Sequence, residues 1–480
     1  MYSRRAVLAG MGAGSVVLLA GCSGVRDGGG GDGAGDGPEP RPGEMNDGGS
    51  SASAGDLFGL TPTRLTLPEE SGDGSDSRLG LGAGALSADG TIALLGEPWV
   101  NIDNIQDKYE TYPGAAYVYE YDGTSWRSTA VLRASDGDGA DGFGGAVALS
   151  ADGRVAIVGA HDDEHPNGEQ AVGTHGGFWG AGSAYVFERV GDGWAEQAKL
   201  VASDGIGGDR FGRCVALSAD GQTAAVAAEA ASLYQDRPRD VPREQLRLGS
   251  VYVFERDGDA WTESAKLTRP GSDRFVQVAL SADGNTIVAV DSGRTVDGRW
   301  GSGVYVFGRD GDSWSKEADM GHFGPTRNYS GYAADVSATG SLLFVGDYAD
   351  RTDGEPGGAM YVFERADDEW SHLTRFASED EENRGSEFFG QSVAISDDGS
   401  RLLVVASGDT NPDTDATGAG SVTLLERSGD TWRRRERVFA PDDVIFRHGA
   451  ISADGRSALV SGRERSSDTG VAYVYGPTPA

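Results

Sequence analysis

The stretch FGGAVALSADG, residues 143–153, decides the fold because it recurs: FGRCVALSADG stands at 211–221 and FGQSVAISDDG at 389–399. Looser copies are LGAGALSADG (81–90), FVQVALSADG (275–284), YSGYAADVSATG (329–340) and FRHGAISADG (446–455), which makes seven. Their turn glycines lie 56 to 68 residues apart, a period too long for one unit of a helical solenoid. A second phrase follows most copies, a β-branched and aromatic run, an acidic turn and then Trp. Tyr185-Val186-Phe187 precedes Trp194, Tyr252-Val253-Phe254 precedes Trp261, and Tyr305-Val306-Phe307 precedes Trp314. Trp126, Trp370 and Trp432 occupy the same slot.

Within the second copy the pattern gives four short strands. Val147 to Ser150 is the first, and Ala151-Asp152-Gly153 turns the chain into Val155 to Gly159. Asp-Gly between β-branched runs is a hairpin signal, because Gly takes the positive φ that the turn needs. A loop of variable length leads to Ala184 to Arg189, and a glycine turn leads to Ala195 to Ala202. No repeat shows the 3.6-residue apolar period of a helix. The fold class is therefore all-β, a seven-bladed β-propeller of four-stranded antiparallel blades. The seventh repeat stops after three strands at Tyr473-Val474-Tyr475, and TRLTLPEESGDGSDSRLG (63–80) matches a fourth strand with its acidic loop. Residues 63–67 are expected to complete the C-terminal blade and so close the ring without open sheet edges.

Upstream, SRRAVL (3–8), the apolar run to Leu19 and then Leu19-Ala20-Gly21-Cys22 read as a signal segment, 1–21, ending in a lipid-attachment box. The twin arginines resemble the signal of the twin-arginine translocase, and Leu-Ala-Gly-Cys resembles the lipobox of prokaryotic lipoproteins. That resemblance implies lipidation of Cys22, anchoring at the outer face of the cell membrane, and an extracytoplasmic propeller at 61–480. Residues 22–60, rich in Gly, Asp and Pro, read as a disordered tether. The second cysteine, Cys214, takes a slot held by Ala146 and Ser392 and is expected to be a small packed residue.

The chain has 75 acidic against 41 basic residues, a net of −34, and only four lysines, at 108, 199, 266 and 316. At molar salt the Debye length shrinks to about 3 Å, so such an acidic surface keeps a protein hydrated rather than repelling itself apart. The composition resembles that of proteins from extreme halophiles, haloarchaea among them. It argues against nucleic acid as a partner.

Phe143-Gly144, Val158-Gly159-Ala160 and GSAYVFE (182–188) resemble FG-GAP repeats, the units of the integrin α-subunit propeller and of many prokaryotic surface proteins. The resemblance covers residues 63–476. It implies a binding or adhesive scaffold, and in many members a calcium loop of Asp-x-Asp-x-Asp-Gly-x-x-Asp between the first two strands. Here that loop has shrunk to turns such as Ser150-Ala151-Asp152-Gly153. One carboxylate per turn cannot supply the six to eight oxygens that calcium takes.

In a propeller the turns between strands one and two and between three and four share one face. The loops between strands two and three and the links between blades share the other. The first set is short and uniform; on the second face 97–114, 160–183, 229–248 and 408–420 are long and 291–301 is short. Variable loops on a rigid scaffold are where binding resides.

Three candidate sites lie there. Asp136, Asp138 and Asp141 in SDGDGADG offer oxygen ligands suited to calcium, the alternative being a solvated acidic linker. His161 and His165, with Asp162, Asp163, Glu164 and His175 nearby, are candidate ligands for a transition metal, though no helix fixes their spacing. Phe178 and Trp179 form either a stacking surface for a sugar or peptide or a cover for the channel mouth. The repeated tryptophans read as packing between blades, while Trp99 and Trp300 lie outside their slot. No Gly-x-Ser-x-Gly, His-Glu-x-x-His or Gly-x-x-x-x-Gly-Lys pattern occurs. The leading expectation is a non-catalytic, lipid-anchored surface propeller that binds a protein or glycan through its loop face. The alternative is an extracytoplasmic carbohydrate-active hydrolase or lyase with its site on that face.

Overall fold

The computed structural model describes residues 57–66, 83–100, 112–137, 141–163, 180–229, 249–268, 275–296, 299–320, 332–348, 350, 357–367, 369–377, 388–411, 418–429, 431–441, 443–467 and 469–476, with the backbone of 15–18 and 21–24. All regular structure among them is strand, save single turns. Seven four-stranded antiparallel sheets form the seven blades of a β-propeller. Their first strands, from blade one to blade seven, are Gly84–Leu86, Phe143–Leu149, Cys214–Leu217, Phe275–Leu280, Tyr332–Val336, Phe389–Ile395 and Val444–Ile451. The fourth strands are Trp126–Leu132, Gly193–Leu200, Ala260–Thr268, Ser313–Asp319, Glu369–Ala377, Thr431–Phe439 and Thr63–Leu65. The last of these pairs antiparallel with Gly470–Tyr475, Arg64 facing Tyr473. Upstream, Ser15–Leu18 and Gly21–Gly24 form a separate hairpin in which Cys22 stands opposite Val17.

Blade two shows why the repeat phrase folds as it does. Its second strand, Val155–Ala160, is buried along its whole length, and each such aliphatic side chain contributes about 1.5–3 kcal/mol on leaving water. The first strand begins at Phe143 rather than at Val147, because Gly144 and Gly145 form a bulge between the paired residues Phe143 and Ala146. Phe143 packs edge-on against Tyr185 and Phe187 of the third strand, with ring centroids 5.5 and 6.0 Å apart. Phe211 repeats this arrangement against Tyr252 and Phe254 in blade three. Blades also touch backbone to backbone: a Cβ on Gly159 would lie 2.0 Å from the carbonyl oxygen of Gly212 in the next blade. Only glycine permits that approach.

The seven turns after the first strands are nearly identical, and their hydrogen bonds explain the conserved-looking letters of the repeat. In blade two the Ser150 hydroxyl donates to Asp152 Oδ1 at 2.7 Å, accepts the Val155 N–H at 2.9 Å, and Asp152 Oδ1 accepts the Arg154 N–H at 3.0 Å. Gly153 closes the turn at φ 66°. The same serine-to-aspartate bond recurs at Ser87, Ser218, Ser281, Ser396 and Ser452.

These turns also join one another. Ala88 N donates to Ala151 O at 2.8 Å, Ala151 to Ala219 at 2.9 Å, Ala219 to Ala282 at 2.9 Å and Asp283 to Ala338 at 3.2 Å. Ala338 then donates to Asp397 at 3.4 Å, Asp397 to Ala453 at 3.0 Å, and Ala453 back to Ala88 at 3.1 Å. The result is a closed belt of backbone hydrogen bonds around the turn face.

Further out, the Glu-Arg pair ending the third strands makes an inter-blade ladder. Arg189 meets Glu120 at 3.1 Å, Arg256 meets Glu188 at 2.9 Å, Arg309 meets Glu255 at 2.7 Å and Arg427 meets Glu364 at 3.3 Å. Blade four has Gly308 where Glu is expected, and Glu317 from its fourth strand fills that space and takes Arg365 at 2.8 Å. At the closing blade the ladder stops. Gly476 stands where Arg would be, and Glu426 turns back to Arg401 of its own blade at 3.0 Å.

The tryptophans pack between blades, as their regular placement predicts. Trp432 of blade six is 3% exposed and edge-on to Phe344 of blade five at 5.5 Å. Trp126 of blade one donates to Gly476 O of blade seven at 3.4 Å. Two of the expected loops are partly strand instead. Ile92–Val100 pairs with Tyr112–Tyr121 as far as Val100 and Tyr112, and Thr286–Val296 pairs with Arg299–Asp310 as far as Val296 and Arg299. Val, Thr, Tyr and Trp there favour a pleated ribbon over an open loop. Trp99 and Trp300 thus lie on strands, opposite Pro113 and Thr295 in register.

Candidate functional site

The loop face is built on the outer ends of the second and third strands and on the links between blades. In blade two the third-strand Tyr185 and the fourth-strand Lys199 are register partners. Lys199 Nζ sits 5.1 Å from the Tyr185 ring centre and reaches Asp136 Oδ2 at 2.7 Å and Asp163 Oδ2 at 2.8 Å. The Tyr185 hydroxyl lies 2.8 Å from Asp136 Oδ1 and 3.0 Å from Asp163 Oδ2, its one proton shared between the two acceptors, and the Ser183 hydroxyl donates to Asp163. Burial works against ionisation of Asp136, but its bonds from Lys199 and Tyr185 prevail and hold its carboxyl below the ordinary value. Burial followed by the Asp163 charge pushes the Tyr185 hydroxyl well above its usual range.

This cluster is a repeated rim device. In blade three Lys266 lies 5.0 Å from the Tyr252 ring centre and 2.6 Å from Asp204, which accepts from Tyr252 at 2.8 Å. In blade five Arg375 pairs with the buried Asp350 at 3.1 Å, and Tyr361 donates to the same carboxylate. In blade six Arg437 pairs with Asp409. Two of the chain's four lysines serve this one structural slot.

Asp136 is thus engaged by a lysine and a tyrosine, Asp141 is buried at 4% exposure, and Asp138 lies outside the described residues. Among the described residues no three His, Cys, Asp or Glu side chains converge as metal ligands would. His161 is 1% exposed, its Nε2 3.3 Å from Asp162 and its Nδ1 edge lying against Gly142 and Gly145. Beside it Arg210 bridges Asp162 at 3.1 Å and Glu229 at 3.0 Å, linking blades two and three. Burial, then the Arg210 and Arg213 charges, depress the His161 imidazole well below its ordinary value, so it is neutral. His165, His175, Phe178 and Trp179 lie outside the described residues. Cys214 is fully buried, its sulfur 3.4 Å from the Val278 N–H of the next blade, a packed position as its slot predicts.

Sequence reading missed Phe388, an exposed aromatic in the link to blade six. The available signal was the letter before each Phe-Gly, which is Gly142, Arg210 and Phe388 in the three close copies. It missed Asp335 too, which takes a slot held by alanine in the other six blades.

Residues 126–187 and 194–254 match the family model described as the FG-GAP repeat. The chain is a seven-bladed β-propeller, and two stretches of it are similar to the FG-GAP repeat. Each matched stretch begins with the fourth strand of one blade and ends with the third strand of the next, so the sequence repeat is staggered by one strand from the blade. No curated protein matches the chain by sequence. Among solved structures, U3-55K is similar at 9% identity and a TM-score of 0.50, over 86% of this chain and 98% of that one. A chain of the mitotic checkpoint complex is similar at 12% identity and 0.49, over 88% and 98%. Kuenenia stuttgartiensis hydrazine synthase is similar at 12% identity and 0.48, over 84% and 96%. The likeness to U3-55K is one of fold alone.

Proposed function

We propose that this chain is a non-catalytic binding propeller, held at the outer surface of a cell membrane by lipid on Cys22, that takes a protein or a glycan on its loop face. The observation that carries this reading is the asymmetry of the two faces. On the turn face the repeated carboxylates of six turns are spent on their own serines and backbone amides, and the turns are tied into a closed belt. The loop face is where the segments that differ between blades begin and end, its described part carries rim clusters that join strand to link, and Phe178 and Trp179 are proposed as contacts for the ligand. Those clusters are ion pairs that tie the strands of a blade to its loop or to the link before it, their charges engaged with one another, which favours binding over catalysis.

The test is retention of envelope glycans and proteins by the chain, with and without Phe178→Ala and Trp179→Ala. Loss of specific retention in the double variant supports the reading; identical retention by both sinks it. Cys22→Ser is expected to release the protein from the membrane fraction, and mass spectrometry of an unmodified Cys22 in the wild type would remove the anchor.

A further inference from the structure

Four large apolar side chains are exposed among the described residues, Val131, Val190, Ile206 and Phe388, and Phe388 is the aromatic one. It stands on the loop face immediately before Phe389, which opens the first strand of blade six. Its backbone is left-handed, φ 54°. The equivalent positions in blades two and three share that conformation, Gly142 at φ 69° and Arg210 at φ 54°. Glycine adopts it freely, whereas an L side chain is strained there. Arg210 offsets the strain with ion pairs to Asp162 and Glu229. Among the described residues the Phe388 ring has an edge-on contact with Tyr348, ring centroids 5.8 Å apart at 71°, and it remains 43% exposed.

A strained backbone that presents an aromatic ring to solvent, at a site where glycine would fit, is the kind of outlier that points to function. The other three exposed apolar residues lie on blades one and two or on the link after blade two. Among the described residues Phe388 is one isolated exposed ring, too little for a protein interface, which needs a cluster of buried anchors. It matches the apolar C–H face of a single pyranose. Stacking of this kind also persists in molar salt, where charge contacts between exposed groups are screened.

We infer that Phe388 is the stacking platform of a glycan subsite on the loop face between blades five and six, with Tyr348 fixing the edge of its ring. The inference rests on the loop-face binding reading and names its ligand class. The full chain, in 2 M potassium chloride, is tested against immobilised gluco-, manno-, galacto- and N-acetylglucosamine oligosaccharides, beside Phe388→Gly and Phe388→Trp. The expected result is binding that falls about tenfold in Phe388→Gly, on the order of one aromatic contact, with no drop in melting temperature, and that persists in Phe388→Trp. A Phe388→Gly chain that binds as the wild type does, or loses binding only along with stability, overturns the inference. If Phe178→Ala with Trp179→Ala abolishes glycan binding while Phe388→Gly leaves it intact, the loop-face reading stands and this subsite falls. A wild type that retains none of the oligosaccharides but holds a protein overturns the glycan class, and one that retains neither overturns both readings.

Discussion

At the scale of single residues, Asp335 breaks the repeat with measurable consequences. Its slot, two before the turn serine, holds Ala85, Ala148, Ala216, Ala279, Ala394 and Ala450 in the other blades. The carboxylate accepts the Val336 N–H at 2.8 Å and, across the blade boundary, the Ile395 N–H at 3.0 Å. Burial, against those two bonds and with the Asp397 charge added, pushes its carboxyl up to about 7. Between the unfolded value near 4 and that folded value, the native state binds more protons than the unfolded one. Stability is therefore lost as pH rises through this window and is flat above it. Asp335→Ala, which fits the slot six times over, is expected to raise the melting temperature at pH 8 and to lose that advantage towards pH 4. Because the side chain keeps some exposure, a gain of about 1–2 kcal/mol at pH 8 is expected rather than the full shift. His448 titrates with the opposite sign, its buried imidazole depressed to about 3, so the difference between variant and wild type is the quantity to follow. A difference independent of pH would sink this account.

At the scale of elements, the serine-aspartate turn is a self-contained unit, and blade five tests it. There Thr339 replaces the aspartate, and its hydroxyl instead bonds Ser341 at 2.9 Å while Ser337 still accepts the Leu342 N–H at 3.0 Å. Thr339→Asp restores the acceptor used by the other turns and is expected to add about 0.5–1 kcal/mol in 2 M potassium chloride. Denaturant midpoints would show it, and a lower midpoint would mean that charge repulsion outweighs the new bonds.

The turn was legible in the sequence because its physics is local: Ser, Asp and Gly each have one job within five residues. The first-strand bulge was not, since Gly144 serves an approach to the backbone of blade one at Ala115 and Glu97 that no local pattern reveals. The rim clusters were half visible. Asp136 was singled out as a ligand for calcium, but its partners Lys199 and Tyr185 are 63 and 49 residues away, and only folding brings them to it. Phe388 left a trace in the letter before Phe-Gly, but what sets it apart, a left-handed backbone carrying an aromatic ring, shows only in the structure.

At the scale of the whole molecule, the charged ladder between blades is continuous except where the ring closes. Its inter-blade Arg–Glu pairs are part-exposed and worth about 0–1 kcal/mol each, yet they run without a break from blade one to blade six and lapse on both sides of blade seven. The fourth strand there is three residues long, against seven to nine elsewhere. Hydrogen exchange is therefore expected to release the amides of Thr63–Leu65 and their partners in Gly470–Tyr475 before those joining Ser183–Val190 to Gly193–Leu200. Simultaneous release would show that closure is no weaker than the rest.

The route by which the chain enters this blade has a mechanical side. Leu57 is fully buried in the apolar cluster shared by blades six and seven, and the Phe58 N–H donates to Glu436 of blade six. A pull arriving from the N-terminal side thus meets the socket of Leu57 before it loads the three-residue strand behind it. Leu57 and Phe58, which lie outside the propeller's own repeat, act as a strain relief for the closing strand.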